Sequence, residues 1–552
     1  MAGSVVGIAG SGRNAQGGPL VMGHGIGGAS AEGAHRQPAD ERPAHGSHPD
    51  GQGAPIETVR SAYGRFLDDC VRQAQARSAH LEEYAARIRE IDELLTAPAS
   101  GPSPALQSLF SSVQDVAAHP ASVPLRQQML GSAQALAARF WSLDARLAEM
   151  REALNQRVLE VVAEINALAA DLARINAAAA SGPAQEDFER RDRLAARLNM
   201  LVRVSAAPQS DGSVNLSLAT GHGLLLGAQA FALAAAPSAE DPQNHGIVHL
   251  SAGVRTSLDP AAIQGGQLGG LLAFRSDVLD TVQNQLGRVA VALAGTFNDQ
   301  HRLGMDLQGD AGQALFRAPR AVVLDGGSNT GTAAITAGSD NVGALTGSDY
   351  RLQHNAGTWA LTRLNDNVRT VFSGFPHTVD GVVLALASGA AASGDSFLIR
   401  PTRDGARDIA VLISDAARIA AAAPVRYDAI GVYDNRGGSV YDNRGGSIYD
   451  NRNALLLAAL QARATIAGGA SYQGACDRIA QEVRGRAHAI EVQSQAQDAL
   501  VREARATQRS LPGANLDEEA ATLFRHQQAY QACGKALQAA ARLFDTLLET
   551  SE

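Results

Sequence analysis

Residues 136–175 read LAARFWSLDARLAEMREALNQRVLEVVAEINALAADLARI. Their apolar residues stand at Leu136, Phe140, Leu143, Leu147, Met150, Leu154, Val158, Val161, Ile165, Leu168, Leu172 and Ile175. The steps alternate between four and three, except where a second four follows Leu154. That spacing keeps every apolar residue on one stripe of a helix, and its average is the seam of a helix packed along another helix. At ~1.5 Å per residue the stretch spans about 60 Å. Ser181-Gly182-Pro183 ends it. Upstream, Leu81, Tyr84, Ile88, Ile91 and Leu95 repeat the same alternation until Ala97–Pro104 (APASGPSP) breaks it. These seams predict long packed helices.

Downstream the period changes. Val202 and Val204, a turn at Asp211-Gly212, then Val214, Leu216 and Leu218 predict a hairpin. A helix is expected across roughly Leu268–His301. Residues 306–425 are rich in Gly, Ser, Thr and Asp and read as β. There Tyr350 and Leu352 run to Asn355-Ala356-Gly357 and Trp359 and Leu361 run back, while Phe397-Leu398-Ile399 forms a short apolar strand. An eight-residue unit, VYDNRGGS, fills 432–439 and again 440–447, with a partial third copy to Asn453. Two and a half copies are too few for a solenoid and read as a lengthened surface loop. Helix returns to the end of the chain.

The last helix opens on a cap at Asn515, with Asp517, Glu518 and Glu519 in its first turn. Its seam runs Leu516, Ala520, Leu523, Gln527, Tyr530, Gly534, Leu537, Ala541, Phe544, Leu548. A stripe so long needs a partner. Helix, sheet, then helix predicts an α+β fold: an elongated, coiled-coil-like helical rod formed by both ends of the chain, with a β-rich domain inserted. The expected divisions are 1–55, a glycine-rich segment; 56–305, a helical rod with a β-hairpin region; 306–430, the inserted β domain; 431–453, the repeat loop; 454–514, the rod's return; and 515–552, the terminal seam. Fourteen glycines in 1–55, with Pro19, Pro38, Pro43, Pro49 and Pro55, predict disorder there.

Composition narrows the function. With 552 residues the chain exceeds one ordinary domain. Its formal charge of −9 argues against broad nucleic-acid binding. Lys535 is the single lysine, which disfavours a lysine nucleophile or a phosphate-binding lysine. Alanine makes up about a fifth of the residues and aromatics 4%, a mixture suited to close helix packing rather than to large pockets. Cys70, Cys476 and Cys533 form neither a disulfide framework nor a zinc pattern. No apolar run is long enough for a membrane span, and the N-terminus lacks a secretory-signal pattern.

Candidate chemistry is sparse. Gly23-His24-Gly25-Ile26-Gly27-Gly28 fits a dinucleotide fingerprint as a string, but prolines follow it and no strand precedes it. His24, His35, His45 and His48 lack metal-site spacing. His245 and His249 flank Ile247-Val248 in what reads as a strand. His526 and Cys533 sit ~10.5 Å apart along a helix, too far for a thiolate–imidazole pair. No catalytic residue, cofactor-binding residue or metal ligand is expected.

The stretch Gly265-Gly-Gln-Leu-Gly-Gly-Leu-Leu-Ala-Phe-Arg275, with Val278-Leu-Asp280, Asn284-Gln-Leu286, Phe297-Asn298 and His301-Arg-Leu-Gly-Met-Asp-Leu307, resembles the flagellar hook-associated protein 1 family. So do Ser103-Pro-Ala-Leu-Gln107, Val113-Gln-Asp-Val-Ala117, Arg191-Asp-Arg-Leu194, Asp395-Ser-Phe-Leu-Ile-Arg-Pro401 and Asp450-Asn-Arg-Asn-Ala-Leu455. The tail motifs Asn515–Ala521, Gln527–Ala532 and Leu543–Leu548 match as well. The resemblance covers roughly 56–552. In 1–55 only shadows remain of the family's amphipathic helix and of the Asn-Ile-Ala-Asn and Gly-Tyr-x-Arg-Gln motifs that follow it, with Arg13 at the helix's leucine, Gly25 and Gly28 at the asparagines and Ala34 at the tyrosine.

The resemblance implies a non-enzymatic structural protein without a cofactor, exported by the flagellar type III apparatus and outside the cell in the flagellum. It would join hook to filament as a self-assembled ring at the distal end of the hook. Its partners would be itself, the hook protein, the second junction protein and an export chaperone, with no nucleic acid. The assembly and chaperone interface falls on Leu516, Ala520, Leu523, Tyr530, Leu537, Ala541, Phe544 and Leu548. Alternatives are a secreted type III translocator or effector, which would lack the β insert; an enzyme in the β region, which would need converging polar groups; and a non-functional divergent copy of the junction protein.

Overall fold

The structure, a computed structural model, describes residues 54–96, 101–179, 185–209, 211–423 and 448–509. The glycine-rich segment up to residue 53, the repeat as far as residue 447 and the terminal seam from Asn515 lie outside these residues.

Helices α1 (Ala54–Thr96), α2 (Ser103–Ala118) and α3 (Val123–Ala179) come first. With 57 residues α3 is the longest described helix, about 85 Å from end to end. Leu136, Phe140, Leu143, Leu147, Leu154, Val158, Val161, Ile165 and Leu172 are all at most 2% exposed. They pack with Ile88, Ile91, Leu106, Leu109 and Phe110 of α1 and α2 in one extended core. Removing that apolar surface from water is what holds the helices together.

After α4 (Gln185–Leu201) two antiparallel sheets lie along α3. One holds β1 (Val204–Pro208), β2 (Val214–Leu218), β3 (Gly223–Leu226) and β4 (Gln229–Ala230); the other holds β5 (Ala232–Pro237), β6 (His245–Ser251) and β7 (Val254–Leu258). The expected hairpin is the β1–β2 ladder, with Val204 opposite Leu218 and Pro208 opposite Val214. The β content between 56 and 305 is therefore larger than a single hairpin. Strand β5 is mostly alanine, so it carries no alternation of large and polar residues to betray it.

Three asparagines fasten these sheets to α3. Asn155 donates to the Gln243 carbonyl at 2.9 Å and accepts from the His245 amide at 3.1 Å. Asn166 holds the Leu233 carbonyl and amide, both at 2.8 Å. Asn176 donates to the carbonyls of Val214 at 2.8 Å and Gly227 at 2.7 Å, and accepts from the Val214 amide at 3.1 Å. Spacings of eleven and ten residues are close to three helical turns, so all three share one face of α3.

Helix α5 (Gly266–Phe274) runs through one π turn, Arg275–Leu279, into α6 (Asp280–Arg302). At Gly270 a Cβ would stand 2.5 Å from the His80 carbonyl oxygen, so α5 approaches α1 as only glycine permits. Beyond α6 come β8 (Val322–Asp325), β9 (Ala334–Ser339), β10 (Tyr350–Asn355), β11 (Thr358–Arg363), β12 (Arg369–Phe372), β13 (His377–Val379), β14 (Val382–Ser388) and β15 (Ser396–Arg400). They form a five-stranded sheet, β12-β11-β10-β15-β8, and a three-stranded one, β13-β14-β9. Leu352, Trp359, Leu361, Phe397 and Ile399 of the first meet Ile335, Val382 and Leu384 of the second in a core of their own.

This β module covers 322–400, narrower than the expected 306–430. Leu315, Phe316, Ile409, Ile413, Ala416 and Ile419 belong to the helical core instead. The flanking chain is irregular, and α6 satisfies its backbone. Asn298 donates to the Phe316 carbonyl at 2.7 Å and accepts its amide at 2.9 Å. His301 does the same work for Gln313 and Ala420. Turn-rich composition signals such chain as readily as it signals strands. Helices α7 (Gly405–Asp408), α8 (Arg452–Ala459) and α9 (Tyr472–Arg509) complete an α+β fold.

Candidate functional site

The predicted interface, Leu516 to Leu548, lies outside the described residues, as do His526, Cys533 and the Gly23–Gly28 string. What is described is the pair of helices that leads to it. Ser78 donates to Asp498 at 2.7 Å, Gln508 to Asp68 at 2.6 Å and Gln497 to the Ala74 carbonyl at 3.1 Å, while Arg484 lies 3.8 Å from Asp92. Each step up α1 from Asp68 to Ser78 to Asp92 is matched by an equal step down α9, so the two helices are antiparallel. Asp68 of α1 and Gln508 near the end of α9 therefore lie together, eight residues in sequence before Leu516 on the α9 side. A polar zipper of this kind sets register with little net stabilisation per bond.

A second constellation sits where the β module meets the helices. Arg403, between β15 and α7, is almost fully buried. One of its guanidinium nitrogens lies 3.2 Å from Asp241 and 3.4 Å from Asp280, and another bonds Asp349. Arg400, the last residue of β15, bonds Asp241 and donates to Gln243 at 3.1 Å. From α3, Arg151 reaches Asp280 at 2.7 Å, Asn244 at 2.5 Å and Gln283 at 2.8 Å. Arg275 donates to the His245 carbonyl at 2.7 Å. Burial opposes the charge of Arg403, but Asp280, Asp349 and Asp241 outweigh it and hold its pKa above the ordinary value. Burial likewise pushes the Asp280 carboxyl up, and the attraction of Arg403, Arg151 and Arg275 overturns this and leaves it below the usual carboxylate range.

The sequence motifs Asp395–Pro401 and Val278–Asp280 contain Arg400 and Asp280 but gave neither a role, and Arg403, Asp241, Asp349 and Arg151 were not singled out at all. A signal existed: Arg400 closes the wholly buried strand Ser396–Arg400 directly after Phe397-Leu398-Ile399, and Arg403 stands three residues on. A charge so close to a fully apolar stretch needs a buried partner. The Asp395 carboxylate has another task, accepting from the amides of Thr330 at 2.8 Å, Gly331 at 3.1 Å and Ala392 at 2.8 Å.

His249 of β6 bonds the Gly223 carbonyl at 2.8 Å, and its ring lies 5.1 Å from that of His222. Cys476 is buried, and desolvation pushes its thiol well above the ordinary range, away from nucleophilic thiolate chemistry. Among the described residues no three His, Cys, Asp or Glu side chains are placed to hold a metal, and no described helix is long and apolar enough to cross a membrane.

Comparison with known proteins agrees with this architecture. Residues 88–316 match the family model for the flagellar hook-associated protein FlgK helical domain, and 324–401 match that for the flagellar hook-associated protein 1 D2-like domain. Flagellar hook-associated protein 1 of Escherichia coli K12 is 30% identical over 513 residues, covering 90% of each chain. The Salmonella typhimurium LT2 protein of the same name is 30% identical over 515 residues, again with 90% coverage of both. The solved flagellar hook junction protein FlgK of Burkholderia pseudomallei superposes with a TM-score of 0.72 at 25% identity, over 80% of this chain and 100% of that one. By sequence over nine-tenths of its length and by fold, this chain belongs to the flagellar hook-associated protein 1 family.

Proposed function

We propose that this chain is a non-enzymatic structural subunit of the bacterial flagellum. It joins hook to filament by assembling with copies of itself into a ring at the distal end of the hook, after export through the flagellar type III apparatus. The observation that carries the reading is the similarity to hook-associated protein 1 over nine-tenths of the chain, with the helical body and the β module each matching that family. A translocator or effector would have no reason to share the β module. The hook protein, the second junction protein and an export chaperone are the partners this role requires. The seam from Leu516 to Leu548 is the surface for self-assembly and for the chaperone.

The test is complementation of a strain lacking its own junction protein. Swimming motility and hooks that carry filaments, seen by electron microscopy, are expected. Export of the protein without filament attachment would overturn the junction role. Absence of export would assign the chain to a non-functional divergent copy.

A further inference from the structure

We propose that Arg403, with Asp241, Asp280 and Asp349, is an ionic joint that fixes the angle of the β module on the helical body. The inference concerns this chain's own mechanics and does not depend on the flagellar reading. Two features of the interface carry it.

The first is how little apolar packing crosses it. The core of the β module is separate from the helical core, and Val291 of α6 is the one helix residue within it among those described. Two apolar cores that scarcely merge give a hinge rather than a fused globule, unless something else restrains them.

The second is the set of polar bonds that do cross. Arg403 bonds Asp349 at the foot of β10, Asp241 in the β5–β6 loop and Asp280 on α6. One planar, rigid guanidinium is thereby tied to three elements, and three ties from one point restrain rotation where one would not. The β5–β6 loop adds more: Glu240 pairs with Arg351 of β10 at 2.6 Å, and the Ala239 carbonyl accepts from the Gly327 amide at 2.8 Å. The turn after β15 is seated directly on α6. Thr402 donates to Asn284 at 2.9 Å, and a Cβ at Gly287 would stand 1.8 Å from the Thr402 carbonyl oxygen. Arg403 itself is 3% exposed, so water does not screen these attractions as it would on a surface.

Such a joint is rigid while complete. Without the cation, Asp349 loses its ion-pair partner at a dry interface, while Asp241 keeps Arg400 and Asp280 keeps Arg151; admitting water by swinging the module away relieves the stranded carboxyl. The experiment places spin labels by non-cysteine chemistry at Val371 on β12 and Leu456 on α8, each more than half exposed. Pulsed dipolar spectroscopy should give one narrow distance distribution in the parent chain. In Arg403→Met it should at least double in width, with the far-ultraviolet circular dichroism unchanged, while Arg403→Lys should fall between. An unchanged narrow distribution in folded Arg403→Met would overturn the proposal. Should that variant not fold, Asp349→Asn, which keeps an amide oxygen toward Arg403, is read by the same rule: broadening supports the joint, an unchanged width refutes it.

Discussion

His301 shows how one buried side chain can tie stability to pH. Its Nδ1 donates to the Gln313 carbonyl at 2.6 Å and its Nε2 accepts from the Ala420 amide at 2.9 Å, which requires the neutral ring protonated on Nδ1. Burial is the main cause that lowers its pKa, from 6.5 to about 4, against the raising pull of the Gln313 carbonyl. The unfolded chain therefore binds a proton between these values and the folded chain does not. The contribution is complete above pH 6.5 and is lost as pH falls towards 4, where it amounts to about 3 kcal/mol. Denaturant unfolding at pH 7 and pH 4.5 should show this drop. In His301→Gln the molecule should be weaker at pH 7 but should lose about one proton's worth of slope between the two. Equal slopes in both proteins would remove His301 from the explanation. No periodicity in the sequence announces such a residue, because its partners lie 12 and 119 positions away.

Elements differ sharply in how openly the sequence declares them. The α3 seam is legible because its large buried residues, Leu136 through Leu172, repeat at about 3.5; Trp141, beside the seam rather than on it, is 58% exposed. The β1–β2 and β10–β11 ladders are legible because local turns set their register. At the second turn Ala356 and Gly357 both take positive φ, 47° and 83°, the twist a two-residue hairpin needs. What joins elements over long distances is not legible. The asparagines of α3 read simply as polar residues of an amphipathic helix until the sheets they hold are placed beside them. Asn166→Leu should therefore destabilise the fold although it adds apolar surface. It strands the amide and carbonyl of Leu233, and a loss of about 2 kcal/mol is expected from two half-buried backbone groups without partners. Thermal melting gives the magnitude, and hydrogen exchange should quicken first in β5. A variant as stable as the parent would mean that water replaces the side chain at no loss.

At the scale of the whole molecule, the order of helix, sheet and helix is written in composition, and the α+β class follows from it. The joint between the parts is not, since it depends on charges from five separate stretches meeting out of water. This alters what proteolysis should do. Arg317 and Arg320 are exposed, whereas Pro401–Ala406 on the return strand is buried throughout. Trypsin is expected to nick the first connection without releasing 322–400, and the nicked protein should keep its native mass by size exclusion. Free β module would show that the second connection opens. The terminal seam carries the last prediction. Leu523, Leu537 and Phe544 stand on a stripe that alternates by four and three, as a helix needing a partner does. The first 53 residues offer no matching stripe, with fourteen glycines among them, each costing a helix interior about 1 kcal/mol relative to alanine. The partner we propose is therefore another chain, a second copy in the ring or the chaperone before export. Asp at all three positions places charges where burial would leave them unpaired, and one such group is already poorly tolerated. The triple variant should keep the parent's melting temperature, because the described cores draw on none of these residues, while chaperone capture by pull-down and attachment of filaments to hooks are both lost. Retention of either activity would assign that activity to some other surface of the chain.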